Sequence, residues 1–126
     1  METQDKYIPG VCNIGLAEIK KRKRAGFIGL ALTALLWAAC LLLGSPRISR
    51  LVLFFPAMMA ATGFIQAQMH FCAGFGFRSL FNFGDVGKTD TVMQAEFRAM
   101  DRKKAWQIII YSALVALAVA IVAYVF

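Results

Sequence analysis

The run AGFIGLALTALLWAACLLLG, residues 25–44, decides the fold. None of its twenty positions carries a charged side chain. At about 1.5 Å of rise per residue, a helix of that length covers about 30 Å, the hydrocarbon thickness of a bilayer. Gly44, with Pro46 just beyond it, supplies a helix stop. The run is too long for the apolar part of a cleaved leader, and twenty-four residues precede it. Its WAAC ending at Cys40 puts the bulky Trp37 where a lipoprotein signal takes a small aliphatic side chain. It reads as a retained membrane span.

Two further runs are long enough to cross. Residues 51–69, LVLFFPAMMAATGFIQAQM, are interrupted by Pro56, which predicts a kink, and carry Gly63, Gln66 and Gln68. Residues 106–126, WQIIIYSALVALAVAIVAYVF, are uninterrupted. The expected fold is all-α: one membrane domain over 1–126, with three transmembrane helices and amphipathic interfacial segments at 12–24 and 71–105. The composition agrees. Of 126 residues 60% are hydrophobic, whereas a soluble domain holds about 45–50%.

Fourteen basic residues oppose seven acidic ones. With three apolar runs present, anionic lipid headgroups explain this excess better than nucleic acid does. The distribution gives an orientation. Arg47 and Arg50 are the two basic residues between the first and second runs; the other twelve, Lys6 and the KKRKR of residues 20–24 among them, fall on the opposite side. The richer side is expected to be cytoplasmic. The N-terminus is then inside and the C-terminus outside, in a cell membrane of bacterial inner-membrane type.

Where the second run leaves the bilayer, residues 68–84 read QMHFCAGFGFRSLFNFG, with five phenylalanines and the chain's one histidine. The pattern predicts an irregular or short helical segment lying in the interface. Phe71, Phe75, Phe77 and Phe81 are expected to turn toward acyl chains, Arg78 to reach phosphates, and Trp106 to anchor the third span at the same level. GFGFRS lacks the Gly-Lys-Ser/Thr ending and the preceding strand of a phosphate-binding loop. His70, Cys72, Cys12 and Asp85 lack the spacing of a metal site, and no cofactor is expected. Gln66 and His70, four apart, form a polar stripe and are expected to share a hydrogen bond. Three cysteines at wide spacing form no disulfide framework. Cys12 and Cys72 fall on one side of the membrane beside basic residues, the setting thiol chemistry would need.

Other local signals are weaker. Thr91 and Gln94 have capping-box spacing, and Met93, Phe97 and Met100 share a helical face. GDVGK, residues 84–88, is the most flexible joint. Glu18 and Arg22 are a favourable pair on a basic helix. Small residues mark helix contacts: Ala113, Ala116, Ala120 and Ala123 in the third span, and Ala31, Ala34 and Ala38 in the first.

The stretch CNIGLAEIKKRKRAGFIGLAL resembles the opening of the small inner-membrane family related to the YgaP transmembrane domain, through Asn13, Gly15, Glu18, Arg22 or Arg24, and Gly26. Thr62, Gly63, Phe64, Phe71 and Cys72 loosely match the end of that family's second span, so the resemblance covers residues 12–84. Ala73 stands where the family has proline after the cysteine, a third span is added, and no rhodanese domain is present. The resemblance implies a helical hairpin able to dimerise, and it implies no catalytic residue.

No nucleophile with a base and no carboxylate pair stands out, so an enzyme is not expected. The leading expectation is a membrane accessory or scaffold protein, a homo-oligomer or a subunit of a larger complex. The alternatives are an oligomeric transporter or channel subunit lined by Gln66, His70 and Arg78, and a thiol-dependent protein using Cys12 and Cys72.

Overall fold

The computed structural model describes residues 7–84 and 86–126. Lys6 and Asp85, both weighed in the sequence, lie outside the described residues. The chain is all-α in class, and three helices are long and apolar enough to cross a membrane.

Helix α1 (Leu16–Leu42) starts after an extended Gly15 and carries Glu18 in its first turn, where an acid suits the exposed N–H groups. It begins nine residues before the apolar run, about two and a half turns, so the basic pentad rides on the same helix. The expected stop holds: Gly44 has φ +64°, and Ser45 N–H donates to the Cys40 carbonyl at 3.0 Å.

The second crossing is a 3-10 helix (Arg47–Leu53) that becomes α2 (Phe54–Met69). Pro56 lies in the first turn of α2, where N–H groups have no intrahelical partner. The helix type changes from 3-10 to α two residues before Pro56. Helix α2 ends at His70, which is left-handed at φ 56°.

Residues 71–84 and 86–94 join α2 to the last helix. They fold into a cap: short α3 (Ala73–Arg78), then β1 (Leu80–Phe81) antiparallel to β2 (Asp90–Thr91), in the register Leu80 to Thr91. Asn13 and Gly15 pair with both main-chain groups of Asn82, adding the N-terminal segment to the cap. Thr91 pairs in β2 and caps no helix. Helix α4 (Ala95–Val125) begins after Gln94 and runs 31 residues without a break.

Helix α2 packs against both α1 and α4. The α1–α2 crossing is set by glycine. A Cβ on Gly63 would stand 2.6 Å from the Gly26 nitrogen, and one on Gly29 would stand 2.5 Å from the Ala60 nitrogen. These backbones touch, a separation that alanine would prevent. That is why α1 turns Gly26, Gly29, Thr33 and Cys40 inward, while Ala31, Ala34 and Ala38 are exposed on another face. On α4 the buried line is Ala105, Ile108, Ser112, Ala116, Ala120 and Ala123, with Ala113 half-buried. Its alanines belong to packing within the chain.

Candidate functional site

The polar side chains gather in the cap at the basic end. Asn13 comes first, placed by the extended segment before α1. Its carboxamide oxygen accepts from Cys72 N–H at 2.7 Å, and its amide donates to the Cys72 carbonyl at 3.2 Å. The side chain thus pairs with a peptide unit as a neighbouring strand would. Asn13 N–H donates to the His70 carbonyl, and Gln66 Oε1 accepts from Ala73 N–H at 2.8 Å. Between them these two amides fix the turn that follows α2. The expected Gln66–His70 hydrogen bond is not formed, because Gln66 is taken by Ala73.

One turn into α1, Glu18 is 1% exposed. It forms an ion pair with Arg22, and its second oxygen accepts from Asn82 Nδ2 at 2.8 Å and Gly87 N–H at 3.3 Å. A buried carboxylate is tolerable only with such a set of donors. The Arg22 guanidinium also lies 2.8 Å from Cys72 Sγ and 5.4 Å from the centre of the Phe75 ring. Asn82, fully buried, holds Gly84 N–H with its own carboxamide oxygen at 2.9 Å. Gly15 lies so close to Phe83 that an added Cβ would stand 3.0 Å from its backbone.

A second polar knot ties the N-terminal segment to α4. Asp101, fully buried, accepts from the Tyr7 hydroxyl at 2.5 Å and from Gly10 N–H at 2.7 Å. The Tyr7 ring stacks on Phe81 at 4.9 Å. Burial, then the hydrogen bond to Asp101 and its charge, push the Tyr7 hydroxyl well above the ordinary tyrosine range, so it stays a donor.

The predicted anchors divide. Phe77 and Trp106 are exposed and meet edge to face at 5.1 Å, with Arg78 exposed beside them. Phe81 is half-buried against Tyr7. Phe71 and Phe75 are corrections to the interfacial reading. Phe71 is fully buried with Ala73, Ala105 and Ile108, and Phe75 is 7% exposed beneath Arg22 and Arg78. Burial inside the cap leaves neither ring available to lipid.

Cys12 and Cys72 are both buried, at 4% and 5% exposure, and neither is in a disulfide. Cys12 faces the Ile14 carbonyl at 3.7 Å, while Cys72 faces Arg22. Among the described residues, no three of His, Cys, Asp and Glu gather where a metal ion could be held. Gln66 is bonded to Ala73, Arg78 Nε donates to the Gly74 carbonyl at 3.3 Å, and His70 lines a cavity with Lys23 and Gln68.

Asn82, Tyr7 and Asp101 escaped the sequence reading. The available signal for Asp101 was its place on the same helical face as Phe97 and Ala105, amid basic neighbours. For Asn82 there was only its isolation among phenylalanines.

No family model matches the chain, and no curated protein or solved structure does either.

Proposed function

We propose that this chain is a small accessory or scaffold protein of the membrane, working by association with a second copy or with a larger membrane complex. The observation that carries this reading is the outer face of α1. Ala31, Ala34 and Ala38 are exposed there, on a different side from the Gly26–Gly29 face that α2 covers. Small side chains let a second helix approach closely in lipid, where no hydrophobic force drives association. The cap supports the same reading, because its buried polar groups are bonded to one another and to the main chain. Kinship with the YgaP-type family, which we also propose, agrees with it. The site is proposed to lie in a bacterial inner membrane with the basic end cytoplasmic. The test is the mass of the purified chain in nanodiscs. Wild type should run as a dimer or with a stable partner, and Ala34→Leu should lower that fraction about tenfold at unchanged melting temperature. A single-chain mass for both would contradict the proposal.

One observation favours a second reading. The Arg22 guanidinium beside Cys72 sets this thiol apart from Cys12 and Cys40. Reactivity needs access as well as a cation, and the sulfur is buried. Alkylation of Cys72 in the folded chain much faster than of Cys12 would support a thiol function; equally slow labelling would set it aside.

A further inference from the structure

We propose that the groove between α1 and α2 at the basic end binds one anionic phospholipid. The inference does not depend on whether the chain associates with a partner. Ile19 and Lys23 of α1, Phe64, Ala67 and Gln68 of α2, and His70 enclose a cavity of about 290 Å³. A second hollow of about 260 Å³, lined by Phe64, Ile65, Gln68 and Met69, shares Phe64 and Gln68 with it. The first offers an ammonium, a carboxamide and an imidazole, and the second is walled mainly by apolar side chains. The two hollows flank the edge of α2 formed by Phe64 and Gln68, the polar one toward α1.

Position gives this shape its meaning. Lys23 stands two residues before the apolar run of α1 begins, at the boundary between headgroups and hydrocarbon. Going from His70 back to Phe64 along α2 leads deeper into the membrane layer. A lipid lying in this groove places its phosphate at Lys23, Gln68 and His70, and one acyl chain toward Phe64 and Ile65. No carboxylate lines either hollow. The buried amides and carboxylates of the cap are bonded within the fold. The side chains of Lys23, Gln68 and His70, in contrast, make no hydrogen bond or ion pair among the described residues. Basic pockets beside transmembrane helices are a known way of holding anionic headgroups. Lys20 and Arg24, exposed on α1, add to the positive field.

The experiment is native mass spectrometry of the purified full chain. It is titrated with phosphatidylglycerol or with phosphatidylcholine of the same acyl chains, and separately challenged with inorganic phosphate. Wild type should hold a first phosphatidylglycerol at least about fivefold more tightly than phosphatidylcholine, the effect of about one basic side chain near a membrane surface. Lys23→Gln/His70→Asn should lose that preference; asparagine accepts the left-handed backbone at position 70. Lys103→Gln/Lys104→Gln, which removes two charges around a different hollow, should keep it. If the double variant at the groove is unstable, Lys23→Gln alone decides, since that side chain is exposed. Equal retention by the groove variant and wild type would overturn the site. Equal loss in both double variants, or equal binding of the two lipids, would also overturn it. Displacement of the lipid by millimolar phosphate would overturn the lipid as occupant and leave a site for the free anion.

Discussion

At the scale of single residues, the cap rests on a few side chains that stand in for backbone. Asn13 is the clearest, because its amide makes both hydrogen bonds a strand would make to Cys72. Asn13→Ala leaves the buried Cys72 N–H and carbonyl without those partners. It should lower stability by about 2–4 kcal/mol, at about 1–3 kcal/mol for each buried group left unmade, less some relaxation. Unfolding of the purified chain in mixed micelles measures this; a change under 0.5 kcal/mol would mean the cap does not depend on Asn13. Tyr7 gives a pH dependence. Its hydroxyl is raised in the folded chain, so above the ordinary tyrosine value of about 10 the folded state holds a proton the unfolded state has released. That stabilisation is complete below about pH 10 and declines as pH rises above it, by at most about 1.4 kcal/mol per pH unit. Tyr7→Phe should remove this part of the decline, and identical slopes for the two proteins between pH 10 and 11 would contradict the Tyr7–Asp101 knot. These contacts were hard to read in advance. Glu18 and Arg22 were legible as a pair because they are four apart on one helix. The Asn13–Cys72, Glu18–Asn82 and Tyr7–Asp101 contacts join residues 59, 64 and 94 positions apart, with no periodicity linking them.

At the scale of elements, apolar run length and charge-free composition made the three crossings legible, since a bilayer demands little else of a helix. The extra turns were less so. Both α1 and α4 extend past their apolar runs because lysine and arginine are good helix formers, and no glycine or proline interrupts residues 88–126. The face of α1 that meets α2 is set by glycine and not by the alanine stripe. Alanine spacing marks a possible contact, but glycine permits a closer one, and the Gly26–Gly63 approach determines the crossing. The phenylalanine run misled at Phe71 and Phe75. Aromatic rings beside a membrane suit either lipid or a small core, and only the fold of residues 71–94 tells Phe71 from Phe77. Two glycine variants separate packing from backbone strain. Gly63→Ala drives a methyl into the Arg22 carbonyl and the Gly26 nitrogen, each 2.6 Å away, and should force the helices apart. Gly44→Ala meets nothing within 4 Å and bears only its positive φ, a penalty of about 1–2 kcal/mol. Gly63→Ala should be the more damaging by at least about 1 kcal/mol when both are unfolded in sodium dodecyl sulfate. The reverse order would refute the close crossing.

At the scale of the whole molecule, the protein is a three-helix membrane body with its polar and basic groups concentrated at one end. With each of the three helices crossing once, the cap and the Arg47–Arg50 turn are expected on opposite sides of the bilayer. The cap holds α3, the hairpin and the described part of the N-terminal segment, and the far end holds the 3-10 turn and the ends of α1 and α4. Basic residues are expected on the side from which they are not translocated, so the cap should be cytoplasmic. The native cysteines are buried, at 4%, 7% and 5% exposure, and give a low labelling background. Single cysteines introduced by Ser49→Cys and Thr89→Cys, both at exposed positions, therefore report topology directly. Treated with a membrane-impermeant maleimide in intact cells, Ser49→Cys should label and Thr89→Cys should not, with the pattern reversed in inverted vesicles. Labelling of both from the same side would contradict the three-span account.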